Sequence, residues 1–467
     1  MISRPRHRNG IQPATEGGNI LSDRFADYGR LTKPEIAVPP PGPKAKEVIE
    51  REEKVASPAH GRGYPLCVER ACGVWVEDPD GNRFLDCTSG IGVVNVGHCH
   101  PEVVGALVEQ AGKFFHYCGA DFYYIQQTLL SERLVEAAPV PDAVPFFTNS
   151  GAESTEAAMK LARYHTRRPR FLALRGSFHG RTFGAMSLTS SKAVQRNRFA
   201  PLVPEVTHVP NPYCYRCPLR LEYPSCGLAC VDAVEEYLNT IAPADEVAAF
   251  FAEPIQGEGG YIVPPPEYFP KLKALLDKHG ILLVMDEVQA GNGRTGKLFA
   301  IEHWGVEPDI VYTAKGLGSG FPIGVMLSRR ELNDWEPGAH SNTYGANPMG
   351  CMVALKTLEL LQGGLVRNAA ERGEQLMAGL RELQARHDFI GDVRGKGLMT
   401  AVEIVKDPDT KERDPERRNA LVKECFRRGL LTYYCGDNSV RFIPPLIITR
   451  EQIDTVLEIF AEALKAV

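Results

Sequence analysis

From Pro101 onward the chain alternates stretches of helical periodicity with short apolar runs closed by Gly, Pro or Asn. The runs are 144–147, 171–174, 248–251, 281–285, 310–312 and 324–327. Their spacing suits strand–helix–strand units, and so predicts an α/β fold built on a largely parallel sheet. After Asn347 the pattern becomes helix-rich, with a helix over 369–385, strand-like pieces at 400–405 and 439–443, and a last helix over 451–466. Before Pro101, residues 74–86 alternate around Asp80-Gly81, a hairpin signal, and 37–43 is a stiff Pro-rich connector. The expected units are a polar tail (1–31), an N-terminal segment of a small domain (32–94), a large domain (95–346) and a C-terminal α+β part of the small domain (347–467).

Charge narrows the partners. The 53 Lys and Arg against 58 Asp and Glu give a net charge of -5, without the basic excess of a phosphate-tracking protein, so nucleic acid is not expected. No run of 18 apolar residues is present, so no membrane span is expected, and the first residues lack the apolar stretch of a secretion signal. Most of the twelve cysteines stand singly, as buried reduced thiols do, which suggests a cytoplasmic protein.

Four segments carry candidate chemistry. Lys315 follows an apolar strand and leads into Gly316-Leu-Gly-Ser-Gly320; it is either a strand-end lysine reaching solvent or an amine whose desolvation makes it nucleophilic toward a carbonyl cofactor. Asp286 ends the run 281–285, at the strand edge where open α/β sheets bind ligands. It suits a protonated ring nitrogen or a metal, but no phosphate-loop motif supports a nucleotide-bound metal. Ser150-Gly151-Ala152 opens a helix after a strand, and is either a simple cap or a phosphate site. Phe178-His179-Gly-Arg181 offers an aromatic face and a carboxylate fork, or a core aromatic beside a solvated arginine.

Taken in order, these segments resemble the class III (ω-) aminotransferases of pyridoxal-phosphate fold type I, over roughly residue 43 to the C-terminus. The matching pieces include Ser89-Gly-Ile91-Gly, Gly97-His-Cys-His-Pro101, Asn149-Ser-Gly-Ala-Glu153, Phe178-His-Gly-Arg-Thr182, Glu253-Pro-Ile-Gln-Gly-Glu-Gly-Gly260, Asp286-Glu-Val-Gln289, Thr313-Ala-Lys-Gly-Leu317, Asn342-Thr-Tyr344 and Arg441-Phe-Ile-Pro-Pro-Leu446. The resemblance implies a seven-stranded large domain and pyridoxal 5'-phosphate as cofactor. Lys315 would be the Schiff-base lysine and Asp286 the partner of the pyridine nitrogen. Gln289 would contact the ring hydroxyl, Val288 would lie under the ring and Phe178 above it, with His179 beside it. Ser150, Gly151 and Ala152 would hold the phosphate, and Thr343 would reach the phosphate of a neighbouring subunit, which implies a homodimer.

The substrate residues look like those of 4-aminobutyrate aminotransferases. Arg181 would take the distal carboxylate and Arg441 the α-carboxylate of glutamate or 2-oxoglutarate. Glu253 would neutralise Arg441 when the donor has no α-carboxylate, and Ile91 would line the substrate side. The expected reaction moves an amino group from an ω-amino acid to 2-oxoglutarate. Amino-acid racemases or epimerases and acetylornithine- or ornithine-type aminotransferases share much of this pattern, and remain open. So does the segment with Cys214, Cys217, Cys226 and Cys230, spaced C-x2-C-x8-C-x3-C, which is suited to zinc, an iron–sulfur cluster, free thiols or disulfides.

Overall fold

A computed structural model describes residues 17–467. Strands β1 (Arg70–Cys72), β2 (Trp75–Glu77) and β3 (Arg83–Asp86) form an antiparallel meander, the hairpin expected around Asp80-Gly81. The central sheet contains β4 (Ala143–Thr148), β5 (Arg170–Leu174), β6 (Val206–Val209), β7 (Val247–Ala252), β8 (Leu282–Asp286), β9 (Ile310–Thr313) and β10 (Gly324–Arg329). Its order is β4-β10-β9-β8-β7-β5-β6, with β10 antiparallel to both its neighbours and the other pairs parallel. Toward the C-terminus lie β11 (Ile390–Lys396), β12 (Met399–Ile404), β13 (Leu430–Leu431), β14 (Tyr433–Cys435) and β15 (Ser439–Phe442). Four of these make an antiparallel sheet in the order β11-β12-β15-β14, while β13 pairs in parallel with β3.

The continuous apolar runs arise because the central sheet is covered on both faces. Along β7, Phe250 and Ala252 enter one core cluster, while Ala249 and Phe251 enter the cluster on the other face. Both phenylalanines are fully buried, and each such ring contributes about 1.5–3 kcal/mol by leaving water. The helical stretch Pro348–Gln384 is long and apolar enough by composition to cross a membrane. Its Cys351, Val353, Ala354, Leu358 and Leu361 are buried within the protein core, so it is an interior helix of this fold.

The N-terminal tail expectation needs correction. Residues 17–29 form a helix, Gly17–Gly29; residues 1–16 lie outside the described part. Polar composition hid the apolar residues that dock this helix. The Phe25 ring meets His100 edge-on at 4.9 Å, and the indole N–H of Trp75 donates to the carbonyl of Tyr28 at 2.9 Å. The Pro-rich connector leads into the helix Pro43–Glu53, whose first amides are capped from the hairpin turn. The Asp80 carboxylate accepts from Lys44 N at 2.9 Å and Ala45 N at 2.8 Å.

This topology gathers chemistry on one edge. The C-terminal ends of β4, β5, β7, β8 and β9 run out together, because antiparallel β10 begins where β4 and β9 end: Gly324 faces Thr148 and Val325 faces Thr313. Asp286 is the last residue of β8, and the segments that follow the other ends carry Ser150, Phe178, Glu253 and Lys315.

Candidate active site

A cavity of about 440 Å³ opens at this edge, lined among others by Ser150, Gly151, Ala152, Phe178, His179, Arg181, Glu253, Asp286, Val288, Gln289 and Lys315. A volume of this size suits a cofactor or small ligand. It adjoins an outer cavity of about 880 Å³ that shares Phe178, Arg181, Gln289 and Lys315 and adds Ile91, Lys192, Glu258, Tyr433, Tyr434 and Arg441. Thirteen of the fourteen residues expected at the cofactor and substrate site therefore line one continuous space. Thr343 does not: it lies exposed on a loop whose Asn342 side chain donates to the carbonyl of Phe147 at 2.8 Å.

Lys315 follows β9 at φ 36°, a left-handed conformation unusual for a lysine and of the kind that persists where surrounding structure over-determines it. Burial lowers its pKa, and the positive charge of Arg441 adds to that, while Asp286, Glu253 and Glu258 oppose it. A desolvated amine of depressed pKa is the form that attacks a carbonyl.

Asp286 is 4% exposed. Its Oδ2 meets His179 Nδ1 at 2.7 Å and accepts from the Tyr312 hydroxyl at 3.0 Å, while its Oδ1 accepts from Val288 N at 3.0 Å. These contacts hold the carboxylate in one orientation at the cavity wall. Gln289 is fixed in the same way, its Oε1 accepting from the buried hydroxyl of Tyr261 at 2.9 Å.

The helix Gly151–Thr166 begins at the cavity. Ser150 is its N-cap, in extended conformation, with its hydroxyl accepting from Glu153 N at 3.3 Å. The first-turn amides left over at such a start attract an anion. A Cβ added at Gly151 would stand 2.8 and 2.9 Å from the Val288 methyls, so the absence of a side chain there keeps Val288 in place. Phe178 and Val288 line the cavity together, which leaves room for a flat ring between apolar groups. Phosphate donors, apolar ring contacts, an oriented carboxylate and a desolvated amine in one space fit pyridoxal phosphate.

On the substrate side one expected pairing does not form. Glu253 is buried away from Arg441; its Oε1 accepts from Phe178 N at 2.9 Å and its Oε2 from Gly257 N at 2.8 Å. Burial, aided by the nearby Asp286, pushes its pKa up to about 7. The carboxylate at Arg441 is Glu258, with Oε2 3.4 Å from Nη1. The turn after β7 holds the first glutamate of Glu253-Pro-Ile-Gln-Gly-Glu258 with backbone amides at the inner cavity and places the second in the outer cavity with Arg441. Burial works against a charged Glu258, but Arg441 and Lys192 outweigh it and hold its pKa below the usual value. Arg441 is only 2% exposed, and its Nε has no hydrogen-bond partner among the described residues. Arg181 is exposed, its guanidinium carbon 5.7 Å from the Phe178 ring centroid.

Sequence reasoning also missed Tyr312 and Lys192. Tyr312 sits inside an apolar run and reads there as core, yet its hydroxyl reaches Asp286.

Cys214, Cys217, Cys226 and Cys230 line one small cavity of about 20 Å³ with Leu219, Leu221 and Tyr223. All four are free thiols. Burial raises the pKa of Cys214, and pushes that of Cys230 up to about 11, which favours the protonated form over the thiolate a metal needs. Among the described residues no three His, Cys, Asp or Glu side chains stand where they could hold a metal ion, so the zinc or iron–sulfur expectation finds no support in the geometry.

The model of the family "Aminotransferase class-III" matches residues 56–464. An alanine/serine racemase of Pyrococcus horikoshii is 40% identical over 92% of this chain and 93% of its own length. A probable 4-aminobutyrate aminotransferase of Bacillus subtilis is 35% identical over 89% of this chain and 97% of its own length. Among solved structures, an aminotransferase of Bacillus anthracis superposes with a TM-score of 0.85 at 32% identity, over 91% of this chain and 99% of that one.

Proposed function

The chain belongs to the class III aminotransferase family, whose members depend on pyridoxal phosphate, and from that premise we propose that it moves the amino group of an ω-amino acid, 4-aminobutyrate first, to 2-oxoglutarate. The observation that carries this reading is that two arginines, Arg181 and Arg441, line the same cavity as Lys315. Transamination must accept two carboxylates at different distances from the reacting nitrogen, and two separate cations meet that need. Arg181 takes the distal carboxylate and Arg441 the α-carboxylate. Glu258 covers Arg441 when the substrate has no α-carboxylate, the role the sequence suggested for Glu253.

The cofactor, when bound, supplies an electron sink for the substrate carbon that bears the amine. The chain's own residues do the rest. Asp286, oriented by His179 and Tyr312, keeps the ring nitrogen protonated. Ser150, Gly151 and Ala152 hold the phosphate, Phe178 and Val288 enclose the ring, and Gln289 meets its hydroxyl. Lys315 anchors the cofactor and carries the proton between substrate atoms. Thr343 serves a neighbouring subunit in a homodimer. Supporting this, Phe115, Tyr117, Phe122, Tyr123, Ile125 and Tyr344 are exposed large hydrophobic residues in the stretches 115–125 and 341–347.

A second reading, racemisation of an α-amino acid, is favoured by the 40% identity to the Pyrococcus enzyme. It uses the same lysine and needs only the Arg441 anchor. A donor panel of 4-aminobutyrate, β-alanine, ornithine, acetylornithine, lysine and α-amino acids with 2-oxoglutarate separates the readings, together with chiral analysis of α-amino acids without any oxo acid. Glutamate formed from 4-aminobutyrate supports the first. Racemised amino acid with no glutamate replaces it with the second.

A further inference from the structure

Glu258 has two cations, not one. Its Oε1 is in close contact with Lys192 Nζ, and its Oε2 lies 3.4 Å from Arg441 Nη1. Attraction between charges falls with distance, so the carboxylate leans toward the lysine. Both cations also stand over aromatic rings: Lys192 Nζ is 5.3 Å from the Tyr434 centroid, and Arg441 Cζ is 5.4 Å from that of Tyr433. The two tyrosine rings stack on each other at 4.3 Å and 21°. The strand pairing holds this arrangement: Tyr433 faces Arg441 across β14 and β15, and Gly436 N donates to the Glu258 carbonyl at 2.8 Å. Lys192 reaches the group from a different part of the chain, after the helix Phe183–Leu188.

We propose that Lys192 sets how firmly Glu258 holds Arg441, and thereby sets the enzyme's preference between substrates with and without an α-carboxylate. The proposal rests on the reading that Arg441 receives the α-carboxylate. When a substrate carboxylate takes Arg441, Glu258 must let go. A carboxylate displaced from its only cation would be left unpaired in a poorly solvated site, which is costly. Here it is displaced onto a lysine it already touches. Lys192 is thus a positioning residue: it touches no reacting atom, and it acts by giving Glu258 a second resting place. Without it, Glu258 has Arg441 alone and competes fully with the incoming carboxylate.

The test is a set of variants of the cofactor-loaded enzyme, assayed in each half-reaction. Lys192→Met is expected to raise KM for glutamate and 2-oxoglutarate by roughly 10- to 100-fold, the scale of one charge-assisted contact. Its kcat should change much less, and KM for 4-aminobutyrate should stay near the parent value. Lys192→Arg keeps the charge and should restore most of the affinity. Cofactor absorbance and melting temperature identify a variant that is merely misfolded, and Lys192→Gln then takes the place of Lys192→Met. A racemised α-amino acid serves equally well as the α-carboxylate substrate. Arg441→Met, run alongside, separates the two levels of the argument. If it leaves KM for α-carboxylate substrates unchanged, the reading of the site is wrong and the role of Lys192 falls with it. If it raises that KM while the Lys192 variants change nothing, or change KM for every substrate alike, the proposal for Lys192 alone is overturned.

Discussion

Glu258→Gln removes one negative charge beside a guanidinium that is 2% exposed. At the 3.4 Å separation observed, and with an effective dielectric of about 20, the attraction to Arg441 that is lost is about 5 kcal/mol before any compensation, and the contact with Lys192 is weakened as well. The glutamine oxygen still accepts a hydrogen bond and Arg441 recovers some hydration, so the net loss of stability in the substrate-free enzyme should be about 2–4 kcal/mol. The same change removes the internal competitor for Arg441. KM for 2-oxoglutarate should therefore fall by about 10-fold, while the 4-aminobutyrate half-reaction, which leaves Arg441 without a substrate carboxylate, should slow by about 10- to 100-fold. Thermal melts with and without 2-oxoglutarate report the first effect, because a carboxylate ligand should restore much of the lost stability. Half-reaction rates followed by cofactor absorbance report the second. Glu253→Gln is the control: it disturbs contacts to Phe178 and Gly257 but should leave the ratio between the two substrates unchanged. If that ratio moves with Glu253 and not with Glu258, the assignment drawn from the structure is wrong and the sequence expectation was right.

Gly151→Ala should weaken cofactor binding by about 10-fold or more with little loss of fold stability, because the new methyl lies 2.8 Å from a Val288 methyl at the ring contact; equilibrium dialysis of the cofactor and a thermal melt measure the two effects. Arg181→Ala should raise KM for 4-aminobutyrate by roughly 10- to 100-fold through loss of a charged contact to the distal carboxylate, and an unchanged KM would remove Arg181 from the site. Glu287 is fully buried, and burial pushes its pKa up to about 8, against amide hydrogen bonds from Ala300 and Ile301. The folded state then keeps a proton that the unfolded chain releases near pH 4.5. Its contribution to stability is complete below that pH and is lost as pH rises toward 8. Glu287→Gln should flatten that part of the cofactor-free enzyme's denaturation profile, and an unaltered slope would show that another group titrates there.

Much of this site was legible because its chemistry follows strand ends. Apolar runs mark the strands, and two of them lead into a residue type that is expensive to bury idly: Asp286 directly after 281–285 and Lys315 shortly after 310–312. What escaped did so for physical reasons. β6 reads Val-Thr-His-Val and lies at the sheet edge with only Val209 buried, so it lacks the unbroken apolar signature of β7. The direction of β10 leaves no trace in composition, since a strand buried on both faces looks alike either way. β13 is two residues long and is defined by its partner β3, more than 340 positions away. Glu253 and Glu258 are five residues apart in one motif, and only the path of the turn decides which is spent on backbone amides and which faces Arg441. Lys192 reads as a solvated side chain, because its partner comes from another part of the chain.

The most direct test is a single incubation of the cofactor-loaded enzyme with 15N-labelled 4-aminobutyrate and 2-oxoglutarate, followed by mass spectrometry of the glutamate formed. Labelled glutamate should be formed by the parent enzyme and lost in Lys315→Ala while that variant still binds cofactor. No labelled glutamate from the parent, with an L-amino acid turned racemic in a parallel incubation lacking any oxo acid, would contradict the proposed transamination.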